Sequence, residues 1–319
     1  MKVVDNIYSG NALTMRLLRN PRVWRGGSPI RVPTYLSAVT NVGSYSGFDT
    51  FLTVQETKTV LGSFNPSQVY ASVPLSGIQL AINSGDAAVI DLIASELNIA
   101  AEALRQELGN EVYSDGTGNS SKDILGILAA VDDSTNVTTY GGISRATYTG
   151  WRGTLTAQSG SLSLANLAAD FDAAQVGNES PSLIVSPPAV FSIYEALLTP
   201  TVSHQFSMND FRMSEDGMAR VGGAIAANQG FRALSFRGVP FLSDEKCTAN
   251  NIFMLNENHL FWYNIPQPAA LNRSENRGFG WTGWKEGINQ DAVVGELLSY
   301  AQLICDGPRF NSRRTGVSS

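Results

Sequence analysis

Within residues 85–109 the apolar positions Ile90, Ile93, Leu97, Leu104 and Leu108 follow one another at steps of three, four, seven and four. That spacing predicts a helix with a single narrow apolar stripe, Ala100 and Ala101 filling its middle turn. At 1.5 Å per residue the rod is roughly 36 Å long. Asn83 and Ser84 offer an N-cap, Asp86 places an acid in the positive first turn, and Arg105 sits near the negative end. Gly109-Asn110 reads as the C-terminal stop. Five buried large aliphatics stabilise by on the order of 10 kcal/mol, so this stripe demands a substantial partner surface.

Upstream the pattern changes to apolar residues scattered among Thr and Ser, which predicts β structure. An ascending strand is expected at 29–38, a tip at 39–47 and a return strand at 48–60, with Pro29 and Pro33 confining the first strand to an edge. A two-stranded ribbon of this length is not stable alone in water, so a neighbouring subunit is expected to support it. Residues 1–25 read as an arm with one short helix, its apolar side supplied by Ala12, Leu13, Met15, Leu17 and Leu18 and its end set by Pro21. Such an arm holds no core of its own and must lie on another body.

Downstream, Val69, Ala71 and Val73 alternate in a strand within 64–76, and 124–131 reads as a short apolar helix or turn. A helix at 162–174, a buried strand at Leu183-Ile-Val185 and a helix at 189–198 ending before Pro200 predict an α/β subdomain. Strands recur through 231–264 and at 293–304, and the tail from Gly307 is basic, with Arg309, Arg313 and Arg314.

Composition narrows the function. Hydrophobic residues make up 43% and charged ones only 16% of 319 residues, which excludes disorder and leaves a sparsely charged surface suited to burial against other subunits. The net charge of −6 is uneven: up to Tyr35 the chain is +5, leaving −11 on the remainder. A basic start on an acidic body fits an arm that docks on something negative. Cys247 and Cys305 read as reduced thiols, and no signal peptide or membrane-spanning stretch is expected.

Catalytic patterns are missing from the sequence. His204 and His259 have no Cys, Asp or Glu at ligand spacing, and the pairs Asp132-Asp133, Glu215-Asp216 and Asp244-Glu245 are expected to be solvated in turns. Gly116-Thr-Gly-Asn-Ser-Ser-Lys122 lacks the Gly-Lys-Ser/Thr ending of a phosphate loop. No catalytic, cofactor-binding or metal residue is assigned. Trp281 and Trp284 bracket Gly283 and leave a ligand-binding protein or enzyme as one alternative.

Several stretches resemble, in order, the tailed-phage major capsid proteins of the Hong Kong 97 phage fold. They are Tyr45-Ser-Gly-Phe-Asp-Thr50, Val73-Pro-Leu-Ser-Gly77 through Asn83-Ser-Gly85, Tyr113-Ser-Asp-Gly-Thr-Gly118, Gly141-Gly-Ile-Ser-Arg-Ala-Thr147 with Trp151, and Leu303-Ile-Cys-Asp-Gly-Pro-Arg309. The resemblance implies an α+β Hong Kong 97-type capsid fold: N-terminal arm 1–27, E-loop hairpin 28–62, P-domain 63–121 with spine helix 85–109, A-domain 122–263, P-domain return strands 264–306 and a C-terminal A-domain tail 307–319.

It further implies pentamers and hexamers closing into an icosahedral head around double-stranded DNA, in a virion assembled in the bacterial host cytoplasm with a portal. With Met1 close to the hairpin, a separate scaffold protein is expected. The hairpin tip has no lysine and Lys58 lies at its base, so a non-covalent shell is expected. Inter-subunit contacts are expected from Arg16, Arg19, Arg22, Arg25, Arg31, Val39, Val42, Tyr45 and Phe48, and no membrane contact is expected. An encapsulin-type nanocompartment shell is the alternative within the same fold.

Overall fold

The computed structural model describes residues 11–27, 29–37, 39–56, 58–82, 92–202, 233–267, 274–276, 279–287 and 290–318. Its organising strand is Ala292–Cys305, a 14-residue run rich in Val, Leu and Ile with Glu296 its only charge. One edge pairs antiparallel with Ser67–Ser76, from Ala292 opposite Ser76 to Ala301 opposite Ser67. The other edge pairs with Leu260–Asn264, Phe279–Trp281 and Lys285–Glu286, and Arg22–Val23 and Ser274–Asn276 complete a seven-stranded sheet. Alternation in Ser67–Ser76 buries Val69, Val73 and Leu75 on one face. The long helix Leu92–Val112 packs on Ser67–Ser76 and on Ala292–Cys305.

A second sheet has six strands, in the order Thr154–Ala157, Ser312–Thr315, Ile252–Leu255, Leu183–Ser186, Val239–Ser243 and Ala233–Phe236. Leu183–Ser186 is buried along its whole length, parallel to Val239–Ser243 and antiparallel to Ile252–Leu255. Helix Leu164–Ala174, capped by the Ser163 hydroxyl accepting from Asn166 N at 3.2 Å, packs on Ser312–Thr315 and buries Leu167, Phe171 and Ala174. After the long connection from Ser76 to Thr154, the chain crosses between the sheets by two short segments, 256–259 and 306–311. These crossings lie side by side: the His259 ring stacks on Phe310 at 4.3 Å, and Asn256 N donates to Asn311 Oδ1 at 2.8 Å.

Between the two sheets along the chain, 129–151 is a built loop. Arg145 is fully buried and donates to the carbonyls of Ala129, Ala130, Val137 and Trp151, while Trp151 Nε1 donates to Tyr140 O at 3.0 Å.

Several expectations need correction. The helix start at 85–91, with Ile90, lies outside the described residues, and Gly109 does not end the helix, which runs on to Val112. A Cβ on Gly109 would stand 2.4 Å from Asn11 Nδ2, so this glycine serves close approach of the arm rather than a cap. The stripe is also uneven: Leu104 and Leu108 are buried, Leu97 is half-buried and Ile93 is exposed.

The arm helix Ala12–Arg19 lies on its own chain, with Ala12, Leu13 and Leu17 buried against the long helix and Leu260–Asn264. Helix Pro188–Val202 passes through Pro200. The tail is no loose basic end: Ser312–Thr315 is a strand of the second sheet, and Arg314 donates to the buried Asp170 carboxylate, Nη2 to Oδ1 at 2.9 Å.

Candidate assembly interface

The hairpin is built on Ile30–Tyr35 and Thr59–Phe64, paired antiparallel from Ile30 opposite Phe64 to Tyr35 opposite Thr59. Its base is anchored because Ile30 and Phe64 are buried in the main core, Phe64 packing edge-on against Tyr140 at 5.1 Å. Ser63 N donates to Gly141 O at 2.7 Å, tying the base to the loop before Arg145.

Beyond Tyr35 and Thr59 the two limbs continue without a regular ladder. Leu36 N donates to Lys58 O at 2.9 Å, Thr40 donates through its amide and hydroxyl to the Glu56 carboxylate, and Asn41 Nδ2 donates to Val54 O at 2.6 Å. The Thr40 hydroxyl holds the Glu56 carboxyl below its ordinary range.

The apex is therefore Ser46–Asp49, not the middle of 39–47, and the return limb pairs through 59–64 instead of ending at Val60. Ser46 N donates to Asp49 Oδ2 at 2.7 Å, Asp49 N donates back to Ser46 O at 2.9 Å, and Gly47 supplies the positive φ of 34° between them. Tyr45 meets Phe51 edge-on at 5.0 Å. The apex presents Phe48 wholly exposed, with Val42 79%, Tyr45 66%, Phe51 63% and Leu52 62% exposed around it and Val39 at 41%. Large exposed apolar patches of this kind are features that partner-binding surfaces share.

Of the five arginines, two are engaged within the chain. Arg16 forms a two-pronged pair with Glu257, Nε and Nη2 to the two carboxylate oxygens at 2.9 and 2.8 Å. Arg22 lies 3.3 Å above the Phe261 ring and donates to Tyr263 Oη at 3.2 Å. Arg19, Arg25 and Arg31 are exposed and have no partner among the described residues. Of these arginines, Arg16 alone meets an acid of its own chain among the described residues.

Tyr70, Ile78, Ile82, Ile93 and Ile99 form further exposed apolar surface on Ser67–Ser76, the short helix Gly77–Ile82 and the long helix. The sequence reading placed Ile93 in the core and overlooked the others. Their signal was present, since Ile99 stands off the narrow stripe.

Other polar groups singled out by the sequence are engaged within the fold. Asp132 is fully buried, not solvated: it accepts from the amides of Ser134, Asn136 and Val137 and from Asn136 Nδ2. Burial works against these bonds, yet they hold its carboxyl below the ordinary range. Asp244 is also fully buried, accepting from Leu13 N at 3.0 Å, Tyr113 Oη at 3.1 Å and Lys246 N at 2.9 Å, and desolvation pushes its carboxyl up. Glu215-Asp216 and His204 lie outside the described residues.

His259 sits in a 3-10 turn, not a strand, with Nδ1 2.8 Å from Asp306 Oδ1, an acid brought close by folding. Trp281 packs edge-on to Trp284 at 5.2 Å and fills the space over Gly295, where a Cβ would stand 2.0 Å from the indole. Both cysteines are buried and free, and burial pushes both thiols up, that of Cys305 to about 12. Among the described residues no three His, Cys, Asp or Glu side chains form a metal cluster, and no helix is long and apolar enough to cross a membrane.

Whole-chain comparison places this architecture. The chain superposes on a chain of the cyanophage A-1(L) capsid asymmetric unit with a TM-score of 0.72 at 16% identity, covering 99% of this chain and 96% of that one. It has the Hong Kong 97-type capsid fold. It is also similar to the SrpI encapsulin of Synechococcus elongatus PCC 7942 (TM-score 0.59, 13% identity, 100% and 93% covered). A third likeness is to the capsid of a native GTA particle (TM-score 0.61, 11% identity, 100% and 94% covered). No family model and no curated protein matches the sequence.

Proposed function

We propose that the chain is the major capsid protein of a tailed bacteriophage, assembling as pentamers and hexamers into an icosahedral shell around double-stranded DNA. The observation that carries this reading is a capsid fold matched along nearly its whole length, bearing an anchored hairpin whose apex is bare and apolar in the single chain. Shells close by symmetry from many modest interfaces, and an apolar tip reaching onto a neighbour supplies one of them in every copy.

In this reading the hairpin is the E-loop, the long helix with the seven-stranded sheet is the P-domain, and the six-stranded sheet with its helices is the A-domain. Val39, Val42, Tyr45 and Phe48 make the inter-subunit contact of the hairpin. Arg19, Arg25 and Arg31 meet an acidic neighbour or, without sequence preference, packaged DNA. Arg16 and Arg22 hold the arm in place. The role is structural, not enzymatic. The portal, a separate scaffold protein and assembly in the bacterial cytoplasm complete the proposal. The hairpin tip has no lysine, and Lys58 at its base is paired with Glu56 at 3.2 Å, which supports a shell held non-covalently.

The likeness to an encapsulin gives a second reading, a protein nanocompartment. Electron microscopy of purified protein, with nuclease digestion and mass spectrometry of the contents, separates the two. Nuclease-protected double-stranded DNA within closed particles supports the phage head. Particles holding a protein cargo and no nucleic acid would replace it with the nanocompartment, and a monodisperse monomer would remove both.

A further inference from the structure

The segment that leaves the long helix carries the most unusual backbone among the described residues. Asn119, Ser120 and Ser121 have φ of 47°, 61° and 62°, three successive side-chain-bearing residues in the left-handed region. Such residues are strained singly and rarely occur in runs. Their side chains and that of Lys122 are exposed, so no burial offsets the strain. The turn's own bonds are long, Ser121 N to Thr117 O and Lys122 N to Gly118 O both at 3.3 Å.

What holds it lies at its exit. Ile124 N donates to Glu111 Oε2 at 2.8 Å, Leu125 N donates to Gln302 Oε1 at 3.2 Å, and Ser67 Oγ donates to Asp123 O at 3.1 Å. Glu111 belongs to the last turn of the long helix and is buried. The charged groups acting on it are both acids, Asp123 from the segment and Glu107 from its own helix. Beside the segment lies a cavity of about 850 Å³ lined by Ser67, Gln68, Tyr70, Gly116, Lys122 and Gly141, directly under the hairpin base. Strain, a carboxylate clamp facing like charge, and adjoining empty space occur together at one place.

We infer that segment 116–123 is a two-state element: the left-handed turn is its clamped state, Glu111 is the clamp, and ionisation of Glu111 frees the segment to relax into the cavity. Because Ser67 and the cavity adjoin the hairpin base, release loosens the mounting of the apex described above. The inference concerns the single subunit and stands whether or not the capsid reading does.

The sign follows from linkage. Burial, the largest influence, together with Asp123 and Glu107 outweighs the Ile124 amide bond, which favours the carboxylate, and pushes the clamped Glu111 carboxyl up to about 7 from its ordinary 4.5. Once released into water it returns toward the ordinary value. Protonated Glu111 therefore favours the clamp, and rising pH favours release, the opening constant growing about tenfold between pH 6 and pH 8.

Amide hydrogen exchange of the full chain, corrected for intrinsic rates and followed on peptides covering 116–126, reads this directly. The wild type should lose about tenfold in protection from pH 6 to pH 8, and Glu111→Gln should not. The triple variant Asn119→Gly, Ser120→Gly, Ser121→Gly, which relieves the positive φ values, should gain protection at both pH values and keep the pH dependence. Wild-type protection that does not change with pH overturns the inference, as does a fall of the same size in Glu111→Gln. Should Glu111→Gln fail to fold, the wild-type and triple-glycine profiles decide alone.

Discussion

Phe48 makes the sharpest test of the hairpin, because in the single chain its side chain is wholly exposed. Replacing it with serine removes nothing from the subunit's own core, so unfolding free energy should change by less than about 0.5 kcal/mol. In a shell the same ring passes from water into a neighbour's surface. Fully burying a phenylalanine contributes about 1.5–3 kcal/mol. Taking about 2 kcal/mol per contact, each inter-subunit contact weakens about thirtyfold. The threshold protein concentration for particle formation should rise by at least that factor, since every subunit contributes a hairpin. Urea unfolding measures the first quantity, and light scattering with sedimentation measures the second. Normal assembly of Phe48→Ser would refute the intermolecular hairpin. A large loss of subunit stability would show instead that the apex packs on its own chain.

Other expectations follow from particular contacts. Arg314→Ala leaves Asp170 buried without its counter-charge and should cost about 3–5 kcal/mol in urea unfolding, whereas Arg314→Met with Asp170→Leu should come much closer to wild type; a loss under 1 kcal/mol for the single variant contradicts the internal role of the tail. The raised Glu111 carboxyl makes the folded state bind a proton that the unfolded chain releases earlier. Subunit stability should therefore be greatest below about pH 4.5 as far as this group is concerned and fall by about 1–2 kcal/mol as pH rises through 7, allowing for partial solvent screening. Thermal melts of Glu111→Gln should lack that component, and a persisting slope of equal size would assign it elsewhere. Mature particles should run as a single monomer-sized band on a denaturing gel; a ladder of covalent multimers would contradict the non-covalent shell.

Much of the architecture was legible because it rests on periodicity. The long helix, the alternating strand Ser67–Ser76, the organising strand Ala292–Cys305 and the helix–strand alternation around Leu183–Ser186 all declare themselves in apolar spacing. The hairpin was legible as well, though its base is anchored in the chain's own core, where only support from a neighbour was expected, and its apex shifted to Ser46–Asp49. Apolar positions 39–54 do not alternate cleanly, and local bonds such as that between Ser46 and Asp49 set the turn.

What escaped the sequence was tertiary satisfaction of polar groups. Asp132 and Asp244 look like solvated turn acids, yet each is buried by gathering amides from turns and, for Asp244, from the arm helix. Arg314 reads as part of a loose basic tail until a strand pairing brings it to Asp170, 144 residues away along the chain. Gly109 carries the signature of a helix stop, and only the approach of Asn11 reveals another use. Leu97 and Leu104 are equivalent on a helical wheel, but the chain covers only the second half of the stripe. A polar replacement at Leu104 or Leu108 is thus a better test of the core than one at Leu97.

The central claim is that the bare hairpin apex is covered by another copy in a closed shell. Cryo-electron microscopy of particles purified from cells expressing the full chain tests it most directly. The account predicts shells of pentamers and hexamers in which Tyr45 and Phe48 of each subunit lie against a neighbouring subunit. Particles whose apices project free into solvent, or a protein that stays monomeric at every concentration, would contradict it.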